Sequence, residues 1–367
     1  MTEIESLGQL ERAAARARGA GASMRRWQVQ GLDLTTHEDA LRGLDPRGAL
    51  FLGCTIPEAT ADRLRAGGAL IFPAVPDVPF DPWRARLYTP AELYEGIESG
   101  YEHTPDAQIY AWTRRAATRG SLRNMLAQAL HDSSIDDALE EHTRKRRIVG
   151  MMGGHALTRD EPAYAEAAHL AHDLAGTGLT VATGGGPGAM EAANLGARLA
   201  EHPVDTLDAV LRRIIEVPAY RSGIADWARS AMESTRDLAD SGRSLGIPTW
   251  HYGHEPPNAF SSVVAKYFRN AVREDVLLDV CTSGIVFLPG AAGTVQEVFQ
   301  AACTNYYAPV EHVAPMVFVG REYWTQTLPA WPLLSALAVG RPFEPGVHLV
   351  DDTSQVHEVL AEDRPSD

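Results

Sequence analysis

The sequence predicts an α/β protein: a doubly wound, Rossmann-like parallel sheet with an N-terminal α/β extension. Two observations carry this expectation. Short apolar runs alternate with longer amphipathic stretches along the whole chain, the pattern of β-α-β units. Two runs in the C-terminal part end in glycine-rich turns that open helices, after Thr183 and after Leu288. Strands that alternate with helices in this way pair in parallel, and ligands then sit at the strands' carboxyl ends.

The elements follow in order. Residues 7–20 have helical periodicity, and Trp27 to Leu34 alternates as a strand. Ala49–Cys54 reads as a buried strand, residues 57–66 as a helix and Ala69–Phe72 as the next strand. Pro73, Pro76, Pro79 and Pro82 mark a loop. Thr89-Pro90-Ala91-Glu92 has the form of a helix start, and residues 105–141 are mostly helical. These elements form an N-terminal α/β domain over 1–145, of no assigned role. The second domain, 146–367, opens with a strand to Met152 and the turn Gly153-Gly154-His155. A helix over 162–175, a strand over 179–183 and a helix over 187–200 come next. Residues 203–242 are polar and largely helical, and strand-like 246–252 follows. A helix is expected over Ser261–Asp279, then the strand Ile285–Leu288 and a last strand over 315–319, with a closing helix near Tyr323.

Composition narrows the function. The formal charge of −15 (33 basic against 48 acidic residues) excludes a broad cationic field for nucleic acid. The one basic run, Arg144 to Arg147, reads as a solvated element boundary. Only Lys145 and Lys266 are lysines, and neither has the setting of a Schiff-base residue. Cys54, Cys281 and Cys303 are odd in number and widely spaced, which fits a reducing cytoplasm. No signal peptide and no membrane span is expected. His251 and His254 with Glu255 lack a further partner at ligand spacing, so no metal is expected. No organic cofactor is required either.

The chemistry concentrates in the two glycine turns. Gly184-Gly185-Gly186-Pro187-Gly188 and Pro289-Gly290-Ala291-Ala292-Gly293-Thr294 each place backbone amides at a helix start, an arrangement suited to a phosphate. Gly184-x-Gly186-x-x-Ala189 is a weak dinucleotide fingerprint, set in the second crossover and without an acidic residue about 20 positions on. Glu297 lies one turn inside the second helix. It can serve chemistry there, or close a capping box on Thr294. Lys266, Arg269 and Arg273 are spaced to share one face of the expected 261–279 helix. The arginines either face the glutamate or bridge to Glu274 and Asp275. His155 ends the first strand of the domain, where this fold holds ligand.

Gly184 to Ala193 resembles the GGGxxGxM segment of the LOG (Lonely Guy) proteins, and Pro289 to Glu297 resembles their PGGxGTxxE signature. The resemblance covers roughly 146–320. It implies a phosphoribohydrolase that splits a nucleoside 5′-monophosphate into free base and ribose 5-phosphate. It implies catalytic roles for Glu297 and for Arg273, with Arg269 as the fallback. It implies ligand contacts at Gly184, Gly185, Gly186, Gly188, Met190, Gly290, Gly293 and Thr294, to which the strand-end position adds His155, and a homodimer or higher homo-oligomer. Three features depart from the family: Ala291 replaces the signature's second glycine, the Arg-Lys pair is missing, and both the N-terminal domain and 203–242 are extra. A non-catalytic nucleotide or molybdenum-cofactor binding protein of the same fold is the alternative.

Overall fold

The computed structural model describes residues 2–115, 120–252 and 255–362. The chain forms two compact units: Met1–Leu87 with Trp112–Ala138, and Tyr88–Ala111 with Leu139–Asp367.

In the first unit β1 (Thr2–Ile4), β2 (Trp27–Gln30), β3 (Leu50–Leu52) and β4 (Leu70–Phe72) pair in parallel in that order. The helices α1 (Leu7–Gly19), α2 (Glu38–Leu41) and α3 (Glu58–Ala66) connect them. Ile4, Leu10, Val29, Leu34, Phe51 and Leu64 are fully buried in one apolar core. The strand β1 lies ahead of every strand expected from the sequence. Three residues are too few for period-2 alternation to be visible.

The chain continues through α4 (Pro90–Leu93), α5 (Pro105–Arg114) and α6 (Leu122–Thr143). The start of α4 is a full capping box: the Thr89 hydroxyl accepts from the Glu92 amide, and the Glu92 carboxylate accepts from the Thr89 amide.

The second unit is built on seven strands in the order β11-β10-β9-β5-β6-β7-β8, all parallel. In chain order these are β5 (Ile148–Met152), β6 (Thr180–Thr183), β7 (Ser244–Gly246), β8 (Val263–Val264), β9 (Ile285–Phe287), β10 (Met316–Val319) and β11 (Val347–Val350). The helices are α7 (Pro162–Gly176), α8 (Ala189–Arg198), α9 (Val204–Ile214), α10 (Ile224–Thr235), α11 (Asn270–Asp279), α12 (Ala292–Tyr307), α13 (Ala330–Ala338) and α14 (Val356–Glu362). From central β5 the chain winds outward to β8, then returns to β9 on the other flank. The reversal makes β5 and β9 the switch point of a doubly wound sheet, and the crevice at their carboxyl ends is where such folds bind ligand. The five residues of β5 are all buried, as expected of a strand covered on both faces.

Two expectations need correction. The segment from Ser261 is not one long helix: β8 pairs with β7, Tyr267 bridges Thr249, and α11 begins only at Asn270. Val264 to Phe268 are consecutively buried, which an extended segment inside the fold allows and an amphipathic helix does not. The three-cation helical face therefore does not exist. Lys266 is buried against Asp106, whose carboxylate also accepts from Trp250 Nε1 and Tyr101 OH. The second correction is at the C-terminus, where β11 adds a strand beyond the one expected to be last.

Candidate functional site

Three loops meet at the switch point. After β5, the amide of Gly154 donates to the carbonyl of Pro289 at 3.1 Å, and the carbonyl of Gly154 accepts from Ala189 at 3.1 Å. One residue thus ties the β6–α8 turn to the β9–α12 turn. Gly188 makes this approach possible: its φ is +74°, and a Cβ there would lie 2.4 Å from the Gly154 carbonyl oxygen. Any side chain would push the two loops apart.

The first loop is held from beneath by a buried polar network. The Thr183 hydroxyl accepts from Gly185 N–H and donates to Asn194 on α8. The Asn258 side-chain amide donates to the Gly186 carbonyl and to Asn194, while its backbone amide donates to Gly185. Buried networks of this kind, when fully paired, fix one geometry. Asn194 and Asn258 were not singled out in the sequence; the only signal was an asparagine directly after Pro256-Pro257.

The second loop leaves its donors open. The helix α12 starts at Ala292 with Ala291 as its cap, and no side chain caps it. Ala291, Ala292 and Gly293 are exposed. Their position gives the first-turn amides no intrahelical partner and the positive end of the helix dipole. Thr294 is buried with its hydroxyl against Gly290.

Glu297 does not close a capping box, because Thr294 is the third helical residue and not the cap. Its side chain turns inward and is 8% exposed. Arg273, 7% exposed, stands beside it with Nη1 3.8 Å from Oε1, too long for a hydrogen bond. Among the described residues the Glu297 carboxyl has no hydrogen-bond partner. Arg273 Nη2 is held by Glu274 at 2.9 Å and by the Asn270 side-chain carbonyl at 3.1 Å. Its Nη1 lies 3.5 Å from where a Cβ on Gly184 would stand, so the guanidinium reaches the first loop. Met190 packs beneath, its sulfur and terminal methyl against Gly184 and Gly186.

The electrostatics are unusual for a site lined with one arginine. Burial pushes the Glu297 carboxyl up to about 8; Glu274 and Glu255 push the same way, and Arg273 opposes them. Burial also raises Glu274, with Arg273 opposing. At neutral pH Glu297 is therefore held largely protonated.

At the other end of the first loop, His155 Nδ1 lies 3.2 Å from Glu255 Oε1. A Cβ on Gly186 would lie 3.7 Å from Glu255 Oε2, so this pair flanks the loop. The structure thus brings Arg273, Glu297, Thr294, Met190, His155 and all the predicted glycines to the loops at the carboxyl ends of β5, β6 and β9. Arg269 differs: it is exposed at the cap of α11, one turn before Arg273. Glu274 joins the cluster through the bridge to Arg273 that its sequence position offered, and Glu255 joins it beside His155. His254 lies outside the described residues. Among those described, no group of three or more His, Cys, Asp or Glu side chains is placed to hold a metal, and no helix is long and apolar enough to cross a membrane. Larger cavities of about 650 and 610 Å³ lie at the amino end of β9 and beside α4 and α10, away from these loops.

No family model matches the sequence, and no curated protein does. Solved structures match. The molybdenum cofactor binding protein from the phototrophic bacterium Rippkaea orientalis is 17% identical with a TM-score of 0.37, over 59% of this chain and 97% of that one. The Moco carrier protein from Chlamydomonas reinhardtii is 18% identical with a TM-score of 0.35, over 59% of this chain and 99% of that one. The fold assignment rests on the strand order of this chain itself.

Proposed function

We propose that the crevice binds a nucleoside 5′-monophosphate and hydrolyses its N-glycosidic bond, in the manner of the LOG proteins that the two loops resemble. The observation that carries this reading is Glu297, a nearly buried carboxyl with no hydrogen-bond partner among the described residues, facing a guanidinium between two loops of helix-opening amides. The amides opening α8 and α12 hold the phosphate, with the Thr294 hydroxyl. That anchors C1′ relative to Glu297. Cleavage proceeds through an oxocarbenium-like state. In its ionised form Glu297 stabilises this cation and takes a proton from the attacking water. The C1′–N bond breaks with its electron pair leaving on the base, which acquires a proton, and the hydroxyl remains on C1′ as ribose 5-phosphate. Arg273 orients the ligand; a guanidinium stays protonated and does not serve as the acid.

A second reading, a non-catalytic carrier of a nucleotide or of molybdenum cofactor, is favoured by Glu274 and Ala291. Glu274 ties up Arg273 Nη2, and Ala291 stands where the signature has glycine. One experiment decides. The purified chain is incubated with a panel of nucleoside monophosphates, and free base and ribose 5-phosphate are followed by chromatography. We expect turnover, lowered at least a hundredfold (about 2.7 kcal/mol) by Glu297→Gln and by Arg273→Ala. Tight binding with no release of base, at any pH from 6 to 9, would replace hydrolysis by the carrier reading. The resemblance also carries the expectation of a homo-oligomer, which light scattering measures directly.

A further inference from the structure

The segment between α8 and β7 folds as α9, a short turn over Tyr220–Ser222, and α10. That turn brings Arg221 to the first glycine loop, with Nη2 3.5 Å from His155 Nε2. Among the described residues no carboxylate lies within ion-pair distance of Arg221. By contrast, Arg159 is paired with Glu191, Arg198 with Asp240 and Arg229 with Asp226.

Beside Arg221 is a cavity of about 80 Å³, bounded by His155, Thr158, Gly188, Glu191 and Tyr220 among others. That is room for several waters or one tetrahedral oxyanion. The cavity lies against the start of α8, where the helix field favours an anion. Tyr220 is 7% exposed and lines it, and among the described residues its buried hydroxyl has no hydrogen-bond partner. Buried hydroxyls are normally satisfied, so this one is set to meet an oxygen that the protein does not supply.

Glu191, in the first turn of α8, would repel an anion if it stood alone. Arg159 Nε lies 3.2 and 3.3 Å from its two oxygens, and the same guanidinium donates to the carbonyls of Val217 and Trp227 and to the Ser230 hydroxyl. All three acceptors belong to the inserted segment. The insertion therefore holds the arginine that neutralises the acid at this helix start, and also supplies beside it a cation with no carboxylate partner among the described residues.

We propose that Arg221 and the Tyr220 hydroxyl form, with the opening of α8, a phosphate subsite of the ligand crevice, so that the insertion sets the preference for phosphorylated over unphosphorylated ligands. The identity of the rest of the ligand rests on the nucleotide reading above; the anion subsite does not.

The test is titration calorimetry of the full chain, Arg221→Ala, Arg221→Lys and Tyr220→Phe with three probes: inorganic phosphate, a nucleoside, and its 5′-monophosphate. Arg221→Ala should weaken phosphate and the monophosphate roughly ten- to a hundredfold, leave the nucleoside unchanged, and be partly rescued in Arg221→Lys. Tyr220→Phe should weaken the same two probes less. Unchanged phosphate affinity in Arg221→Ala, or equal losses for nucleoside and monophosphate, overturns the subsite. Arg221-dependent phosphate binding with no affinity for any nucleoside monophosphate upholds the subsite and removes the nucleotide reading. Failure of the unaltered chain to bind either phosphate or monophosphate removes both.

Discussion

At the scale of single residues, Glu297 has a consequence for stability as well as for chemistry. Its carboxyl titrates near 8 in the fold against the ordinary 4.5. Below the ordinary value it is protonated in folded and unfolded chains alike, and no stability is lost. Between the two values the unfolded chain ionises while the folded one keeps its proton, so stability falls as pH rises and the loss is complete above about 8. Glu297→Gln removes this dependence. The variant should match the parent near pH 4 and exceed it by roughly 3–5 kcal/mol at pH 9, read from urea midpoints across the range. A constant gap would show that Glu297 ionises freely. For the hydrolysis proposed above, ionisation of this carboxyl predicts that kcat/KM climbs with pH to a plateau, half-maximal near pH 8. A profile that instead falls through that region would assign Glu297 the acid's role.

At the scale of elements, the placing of the first loop depends on how closely α7 and α8 pack. Gly196 on α8 is the point of contact: a Cβ there would lie 1.9 Å from the Ala168 carbonyl oxygen and 2.8 Å from the His172 amide nitrogen. Both neighbours are helical backbone, so neither can turn aside. Gly196→Ala should raise helix propensity locally yet destabilise the protein by about 2 kcal/mol or more, since overpacking outweighs the roughly 1 kcal/mol gained from alanine. Equal or higher thermal stability in the variant would show that the helices separate without penalty. The loops themselves were legible in the sequence because glycine runs after a strand have few other uses. The alternative for Glu297 was legible as well, since Thr294-x-x-Glu297 matches a capping box. Whether it forms depends on where α12 begins, and the helix begins two residues before Thr294, at Ala292. The stretch 261–268 misled in the opposite sense. Lys266, Arg269 and Arg273 have helical spacing, but β7 offered an edge for Val263 and Val264 to pair with, and that pairing prevailed over local periodicity.

At the scale of the whole second unit, the buried pair Lys266–Asp106 shows what sequence distance conceals. Asp106 on α5 and Lys266 between β8 and α11 are 160 positions apart, and both are almost fully buried. Burial drives the Lys266 ammonium down and Asp106 pulls it up. Such a pair need not stabilise relative to an apolar one, but removing one partner strands the other charge. Asp106→Ala should lower stability by about 3–5 kcal/mol, measured by urea denaturation, and Asp106→Ala with Lys266→Met should recover much of it. Loss in the double variant as large as in the single one would show that Trp250 and Tyr101, not Lys266, are the partners that matter.

The sequence by itself determined the α/β class, the glycine turns and the residue types able to hold a phosphate and face a sugar. These are local properties: chain reversal, helix opening and strand character are written within a few neighbouring residues. Only the tertiary structure decided that β5 stands between β6 and β9, so that Gly154 joins both loops and Arg273 meets Glu297. It also decided that the charges of Glu274 and Glu255 act on the Glu297 carboxyl, and that the insertion brings Arg221 beside His155. Those relations arise from strand order and burial, which are set by the packing of segments far apart in the chain, and no short-range pattern encodes them.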